Sequence, residues 1–164
     1  WHAVFTASRA EKKVRDRLEE LGVECFLPVQ TVLRQWTYRK SRVVVPVIAG
    51  LVFVRVGRQE QVKVLQTKGV VAFLRLKGEA GAAVIPDKQM EDFRFLLDFS
   101  EEAVEMTNEN IKAGDLVRVV KGSLRGMEGE LIRHKGVTKV LVRIDMLGCA
   151  MVNIPASFVE KLNK

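Results

Sequence analysis

The sequence predicts an α+β fold in two parts: an N-terminal antiparallel sheet with flanking helices, then a small C-terminal β-barrel. Three observations carry this. Strand and helix patterns interleave through the N-terminal part. Short strand-like runs alone recur through the C-terminal part. Between them the charge changes sign. Residues 1–98 hold 17 Lys/Arg against 11 Asp/Glu, residues 99–111 hold four Glu and no Lys or Arg, and residues 112–164 hold ten basic against five acidic residues. Two basic blocks around an acidic strip indicate two domains, residues 1–99 and 113–164, joined by a solvated linker at residues 100–112.

The elements follow in order. His2 to Thr6 reads as a short strand. Ser8 with Glu11 three residues on forms an expected capping box. Ala10, Val14, Leu18 and Leu21 recur at helical spacing, and Gly22 ends the run, which predicts a helix over residues 9–21. Arg9, Lys13 and Arg17 form a basic stripe along it. Val23 to Leu33 is strand-like, with Pro28 marking an edge or bulge. Arg34 to Arg42 is a basic connection that also holds Trp36 and Tyr38. Those two aromatics suit either base stacking or a packed hairpin tip. Val43–Val47 and Leu51–Val56 are dense apolar strands. Arg58 to Gln66 has a weak helical pattern, and Val70 to Leu76 is a further strand. Pro86 and Asp87 open a second amphipathic helix with Met90, Phe93 and Leu97 on one face. The carboxylates Asp87, Glu91 and Asp92 sit in or near its first turn, where the helix dipole favours negative charge.

After the acidic strip, strands are expected near Asp115–Val120, Gly129–His134, Lys139–Ile144 and Ala150–Ile154, then a short terminal turn over residues 156–162. The run VRVVKGSLRGMEGEL, Val117 to Leu131, carries Gly122, Gly126 and Gly129 between two strand-like segments. It lacks the Gly-Lys-Ser/Thr of a nucleotide-cradling loop. Glycines that supply positive φ in a tight hairpin explain it better.

The inventory for catalysis is thin. The two histidines, His2 and His134, lie far apart in sequence, and the cysteines Cys25 and Cys149 form no C-x-x-C pair. No enzyme, metal site or cofactor is expected, and both thiols read as free, in a reducing cytoplasm. The longest apolar run, Val43 to Val54, is broken by Pro46 and Gly50, so no membrane span is expected.

The glycine-punctuated run resembles the KOW motif of transcription elongation factors and some ribosomal proteins. With Trp1 opening the first strand, Gly69-Val70 leading to Phe73, and Val84-Ile85-Pro86 before the last helix, nearly the whole chain resembles the NusG family. That resemblance implies an N-terminal NGN-like domain that binds the RNA polymerase clamp helices, and a C-terminal KOW, SH3-like barrel that recruits a small-subunit ribosomal protein or a termination factor. The implied activity is transcription elongation or antitermination. The implied polymerase contacts are Ile48, Gly50, Leu51 and Phe53. For upstream or non-template DNA they are Lys13, Arg17, Thr67 and Lys68, joined by Arg39 and Lys40 from the basic connection. In the KOW loop they are Leu124, Arg125 and Met127. One departure stands out. Ile48-Ala49-Gly50-Leu51 occupies the place of the family's Phe-Pro-Gly-Tyr. The substitution suggests a specialised paralogue, similar to RfaH, of the kind that serves surface-polysaccharide operons. The competing expectation is a ribosomal-type KOW RNA-binding protein, which would leave the N-terminal part unexplained.

Overall fold

The computed structural model describes residues 1–162 and divides into two compact units. The first comprises Trp1–Val29 and Val44–Pro86; the second comprises Gln30–Val43 and the chain from Asp87 onward.

In the first unit, strand β1 (His2–Thr6) leads into helix α1 (Glu11–Glu20) and strand β2 (Glu24–Phe26). The residue that caps α1 is Ala10, with no side-chain cap, so the expected Ser8–Glu11 box does not form. The chain instead turns through Arg9, at φ 60°, and the Ala10 amide bonds the Ala7 carbonyl. Glu11 is buried, and Val14 and Leu18 carry the apolar face. Pro28 divides the expected strand over residues 23–33 in two, because it has no amide to give to a ladder. Strand β3 (Val29–Gln35) resumes after it and pairs with β4 (Lys40–Pro46); residues 30–43 of this hairpin belong to the second unit, and the basic connection is its tip.

Strand β5 (Leu51–Arg55), helix α2 (Gln61–Leu65) and strand β6 (Val70–Phe73) complete this unit. Its sheet has the order β2-β5-β1-β6, and all its pairings are antiparallel. Ala3 faces Phe53 and Val4 faces Val52 across the β1–β5 pair. Val4, Val14, Leu18, Val52, Val54, Val64 and Phe73 form one core, so both α1 and α2 pack on the sheet. Burying each such side chain contributes roughly 1.5–3 kcal/mol. The Val84-Ile85-Pro86 segment lies against the chain start: the Ile85 amide donates to the Trp1 carbonyl at 2.7 Å.

The second unit holds helix α3 (Asp87–Phe99) and strands β7 (Glu105–Thr107), β8 (Asp115–Val119), β9 (Glu128–His134), β10 (Val137–Ile144), β11 (Gly148–Asn153) and β12 (Val159–Lys161). Met90, Phe93 and Leu96 are the buried residues of α3; Leu97 is only half-buried. Helix α3 lies beside β10. There Gln89 clamps Asp145 twice, accepting from its amide at 2.8 Å and donating to its carboxylate at 2.9 Å. Lys88 pairs with Asp92 at 2.8 Å, one turn on.

The six strands run in the order β12-β8-β9-β10-β11-β7. Strands β12 and β7 stand at the two edges, so among the described residues the sheet is barrel-like, as expected, but is not closed by strand pairing. Two segments account for the extra width. The terminal turn includes strand β12, which pairs with β8, and the acidic strip includes β7, which pairs with β11. Strand β7 is only three residues long, too short for period-two alternation to reveal. Its Glu105 reaches the buried Lys139 at 2.8 Å, which anchors an acidic residue on the sheet. The three glycines divide their work. Gly122 and Gly126 take φ 86° and 95° in the β8–β9 turn. Gly129 lies in a strand without positive φ. A β-carbon there would fall 2.9 Å from the Leu141 carbonyl oxygen of β10, so close strand approach requires glycine.

Candidate functional site

In the first unit, α1 presents Lys13 and Arg17 one turn apart. Gly69 brings the chain after α2 hard against this helix: at φ 97°, its missing β-carbon would lie 2.7 Å from Val14 Cγ2. The approach lets Arg17 donate from Nη1 to the Lys68 carbonyl at 2.7 Å. Lys63 of α2 donates from Nζ to the Leu21 carbonyl, at the C-terminal end of α1, at 3.1 Å. Thr67 donates its hydroxyl to the Lys63 carbonyl at 3.0 Å. Arg17, Glu20, Leu21, Lys63, Gln66, Thr67 and Lys68 thus line a notch of about 390 Å³. Three cations and one carboxylate line it, so its local charge is positive.

The structure therefore gathers Arg17, Thr67 and Lys68, with Lys13 one helical turn away. Lys63 is an addition that sequence reasoning missed, because the α2 pattern is weak and short. Thr67 is only 8% exposed and its hydroxyl is engaged, so it shapes the notch more than it offers a contact. Arg39 and Lys40 lie on the β3–β4 hairpin in the second unit, not on the elements of the notch.

The expected polymerase patch has less open surface than its sequence suggests. Leu51 is 2% exposed and Phe53 is fully buried, stacked on Phe26 at 6.3 Å between ring centroids. Ile48 and Gly50 are half-buried, in the turn before β5. Beside them Phe5, opposite Leu51 in the β1–β5 register, is 41% exposed. The odd position of Phe5 between buried Val4 and Thr6 was the available signal for it.

In the β8–β9 loop, Leu124 and Met127 point inward and are buried, and Arg125 is exposed. The loop closes on itself through Gly126 N to Val119 O at 2.8 Å and Met127 N to Leu124 O at 3.0 Å. Its two apolar residues anchor the loop, leaving Arg125 as the accessible member of the expected trio.

The remaining chemistry-bearing residues have structural partners. His134 lies with Nε2 3.2 Å from Glu109. Cys149 accepts a weak bond from Arg143, which is itself held by Glu130 at 2.7 Å and by the Ile111 carbonyl at 2.8 Å. Burial pushes the Cys149 thiol up, and burial with the nearby Glu19 pushes Cys25 up to about 11. Both cysteines are free. Among the described residues no cluster of three His, Cys, Asp or Glu could hold a metal, and no helix is long and apolar enough to cross a membrane.

The first unit thus combines a helix-covered antiparallel sheet with one basic notch. Comparison with known proteins identifies the family. The family described as "Transcription termination factor nusG" matches residues 1–94. This chain belongs to the NusG family of transcription factors, whose members are not enzymes. Among solved structures, "Domain interaction in Thermotoga maritima NusG" is similar, with 23% identity over 99% of this chain and 97% of that one, at a TM-score of 0.52. That likeness concerns the fold. The chain of "Crystal Structure of MjSpt4:Spt5 complex conformation B" aligns at 18% identity over 99% of this chain and 97% of that one, at a TM-score of 0.31. No curated protein matches.

Proposed function

We propose that this chain is a transcription elongation and antitermination factor that rides on RNA polymerase. In this reading residues 1–99 bind the clamp helices, residues 100–112 connect, and residues 113–164 recruit a second partner through a KOW domain. The observation that carries the reading is the family match over residues 1–94, on the same segment where Arg17, Lys63 and Lys68 converge in one basic notch. The notch would seat a phosphate of upstream or non-template DNA, with Lys13 adding charge; Arg39 and Lys40 would contact DNA from the hairpin of the second unit. Thr67 would hold the notch in shape.

The polymerase contact would use Ile48 and Gly50 with Phe5 beside them. Leu51 and Phe53 would support that surface from beneath. Partner recruitment would centre on Arg125, held outward by Leu124 and Met127; a small-subunit ribosomal protein or a termination factor is the expected partner. Ile48-Ala49-Gly50-Leu51, in place of an aromatic pair, supports a specialised factor for long operons such as those for surface polysaccharides. Cytoplasmic action follows from this role.

The mechanism is a population shift. A bound factor disfavours a paused polymerase only by its differential affinity for the active state. A preference of about 1.4 kcal/mol changes the ratio of states about tenfold.

The test is co-purification of bacterial RNA polymerase with the full chain and with Ile48→Asp. Loss of polymerase from the variant, with its fold retained by circular dichroism, is the expected result. Failure of the wild-type chain to retain polymerase, with RNA binding intact, would favour the ribosomal-type alternative.

A further inference from the structure

The acidic strip is not a free tether. From Val104 to Gly114 it lies along the second unit as a strap. Its strand β7 covers the outer edge of β11, with Thr107 opposite Cys149, Met106 opposite Ala150 and Glu105 opposite Met151. Beyond β7 the strap folds over the sheet. Ile111 packs on the cluster of Leu141, Cys149 and Met151, and its carbonyl accepts from Arg143 at 2.8 Å.

The sheet is shaped for a strand at this edge. At Gly148 of β11 a β-carbon would run into the Thr107 carbonyl, so glycine is what lets a chain cross there. Lys139, on the neighbouring β10, is buried. Among the described residues its one ion pair is with Glu105, at 2.8 Å. A buried ammonium without a carboxylate is costly, so whatever fills this edge must bring one.

The strap itself is lightly held. Strand β7 gives only three residues to the ladder. The side chains of Glu105 and Glu109 are both more than half exposed, and Glu109 meets His134 Nε2 at 3.2 Å. Asn110–Gly114 leave a groove of about 390 Å³ against Leu131–His134. A short, exposed strand on a specific acceptor is replaceable, and a vacated strand edge pairs with an extended chain.

We propose that the β11 edge is a docking site for an acidic, extended segment of a partner protein, and that residues 104–114 mask it in cis. The partner's chemistry is read from the strap that now fills the site. It brings a carboxylate to Lys139 and, six positions on, an aliphatic residue to cover Leu141 and Met151. This is a second recruiting surface, apart from the Arg125 loop, and it rests on the recruiting role proposed above for the second unit. Binding requires the strap to open, so a strap closed nine-tenths of the time lowers the apparent affinity about tenfold.

The experiment measures fluorescence anisotropy of a fluorescein-labelled peptide of residues 103–114 against the full chain. Ile111→Asp in the chain unseats the strap without altering β10 or β11, and should raise peptide affinity about tenfold. Glu105→Gln in the chain, at a half-exposed position, should raise it about two- to tenfold. Circular dichroism checks both folds; if Ile111→Asp unfolds, Glu105→Gln decides. A peptide carrying Glu105→Lys should bind about tenfold or more weakly, since it sets two cations together at Lys139. A chain carrying Lys139→Met should bind the two peptides alike. Equal affinity of the parent and the folded strap variants, or equal binding of the two peptides by the parent chain, would overturn the proposal. The assay contains no polymerase, so its failure leaves the transcription-factor reading standing, and polymerase co-purification tests that reading separately.

Discussion

Replacing Gly69 with alanine tests how the basic notch is assembled. Two costs add at this position. The backbone holds φ 97°, a conformation that an L-residue adopts at a cost of about 1–2 kcal/mol. The new β-carbon would also meet Val14 Cγ2 at 2.7 Å and Arg17 Nη1 at 3.4 Å. Val14 is fully buried in the core and has little room to move, so the steric cost is that of overpacking, about 1–3 kcal/mol. Gly22 supplies the control. It has φ 74° and nothing within 4 Å of its missing β-carbon, so Gly22→Ala carries the backbone cost alone. Urea denaturation of the full chain, read by circular dichroism, should therefore place Gly69→Ala about 1–3 kcal/mol below Gly22→Ala. Hydrogen exchange should locate the loosening around Lys68 and Val70, because relief of the clash separates α1 from the segment that Arg17 holds. Equal destabilisation by the two substitutions would refute the close-packing argument, and with it the claim that Gly69 sets the notch.

Two further outcomes follow from charged and ionisable groups. The hydrogen bond from Lys139 holds the Glu105 carboxyl below its usual value. Its contribution to stability is therefore present above the unfolded pKa of about 4.3 and is lost as pH falls through the lower folded value. Glu105→Gln should remove about 0.5–1.5 kcal/mol at pH 7, a modest figure because Glu105 is half-exposed while Lys139 is buried; a variant whose stability tracks the parent from pH 7 to pH 3 would refute the anchor. Cys25, with its thiol at about 11, should alkylate with iodoacetamide about two orders of magnitude more slowly than an unperturbed thiol at pH 7.5, and unfolding in urea should restore the ordinary rate.

Much of the architecture is local and was legible. The 3.6-residue recurrence of Ala10, Val14 and Leu18, the alternating β-branched runs and the glycines of the β8–β9 turn are properties of neighbouring residues, so they can be read along the chain. The motifs that carry the family resemblance, Trp1, Gly69 and Ile85-Pro86, are of the same kind.

Tertiary structure decided what depends on partners far away in sequence. Strands β7 and β12 exist because β11 and β8 offer them edges; three residues carry too little pattern to announce a strand. Leu51, Phe53, Leu124 and Met127 look like contact residues in a list of apolar side chains, and only packing turns them inward. Arg17, Lys63 and Lys68 are spread over 52 residues and meet because Gly69 permits α1 and the α2 turn to touch. Periodicity records which face of an element is apolar, but not which other element covers it. Burial and convergence are set by that covering, and a sequence read in order does not contain it.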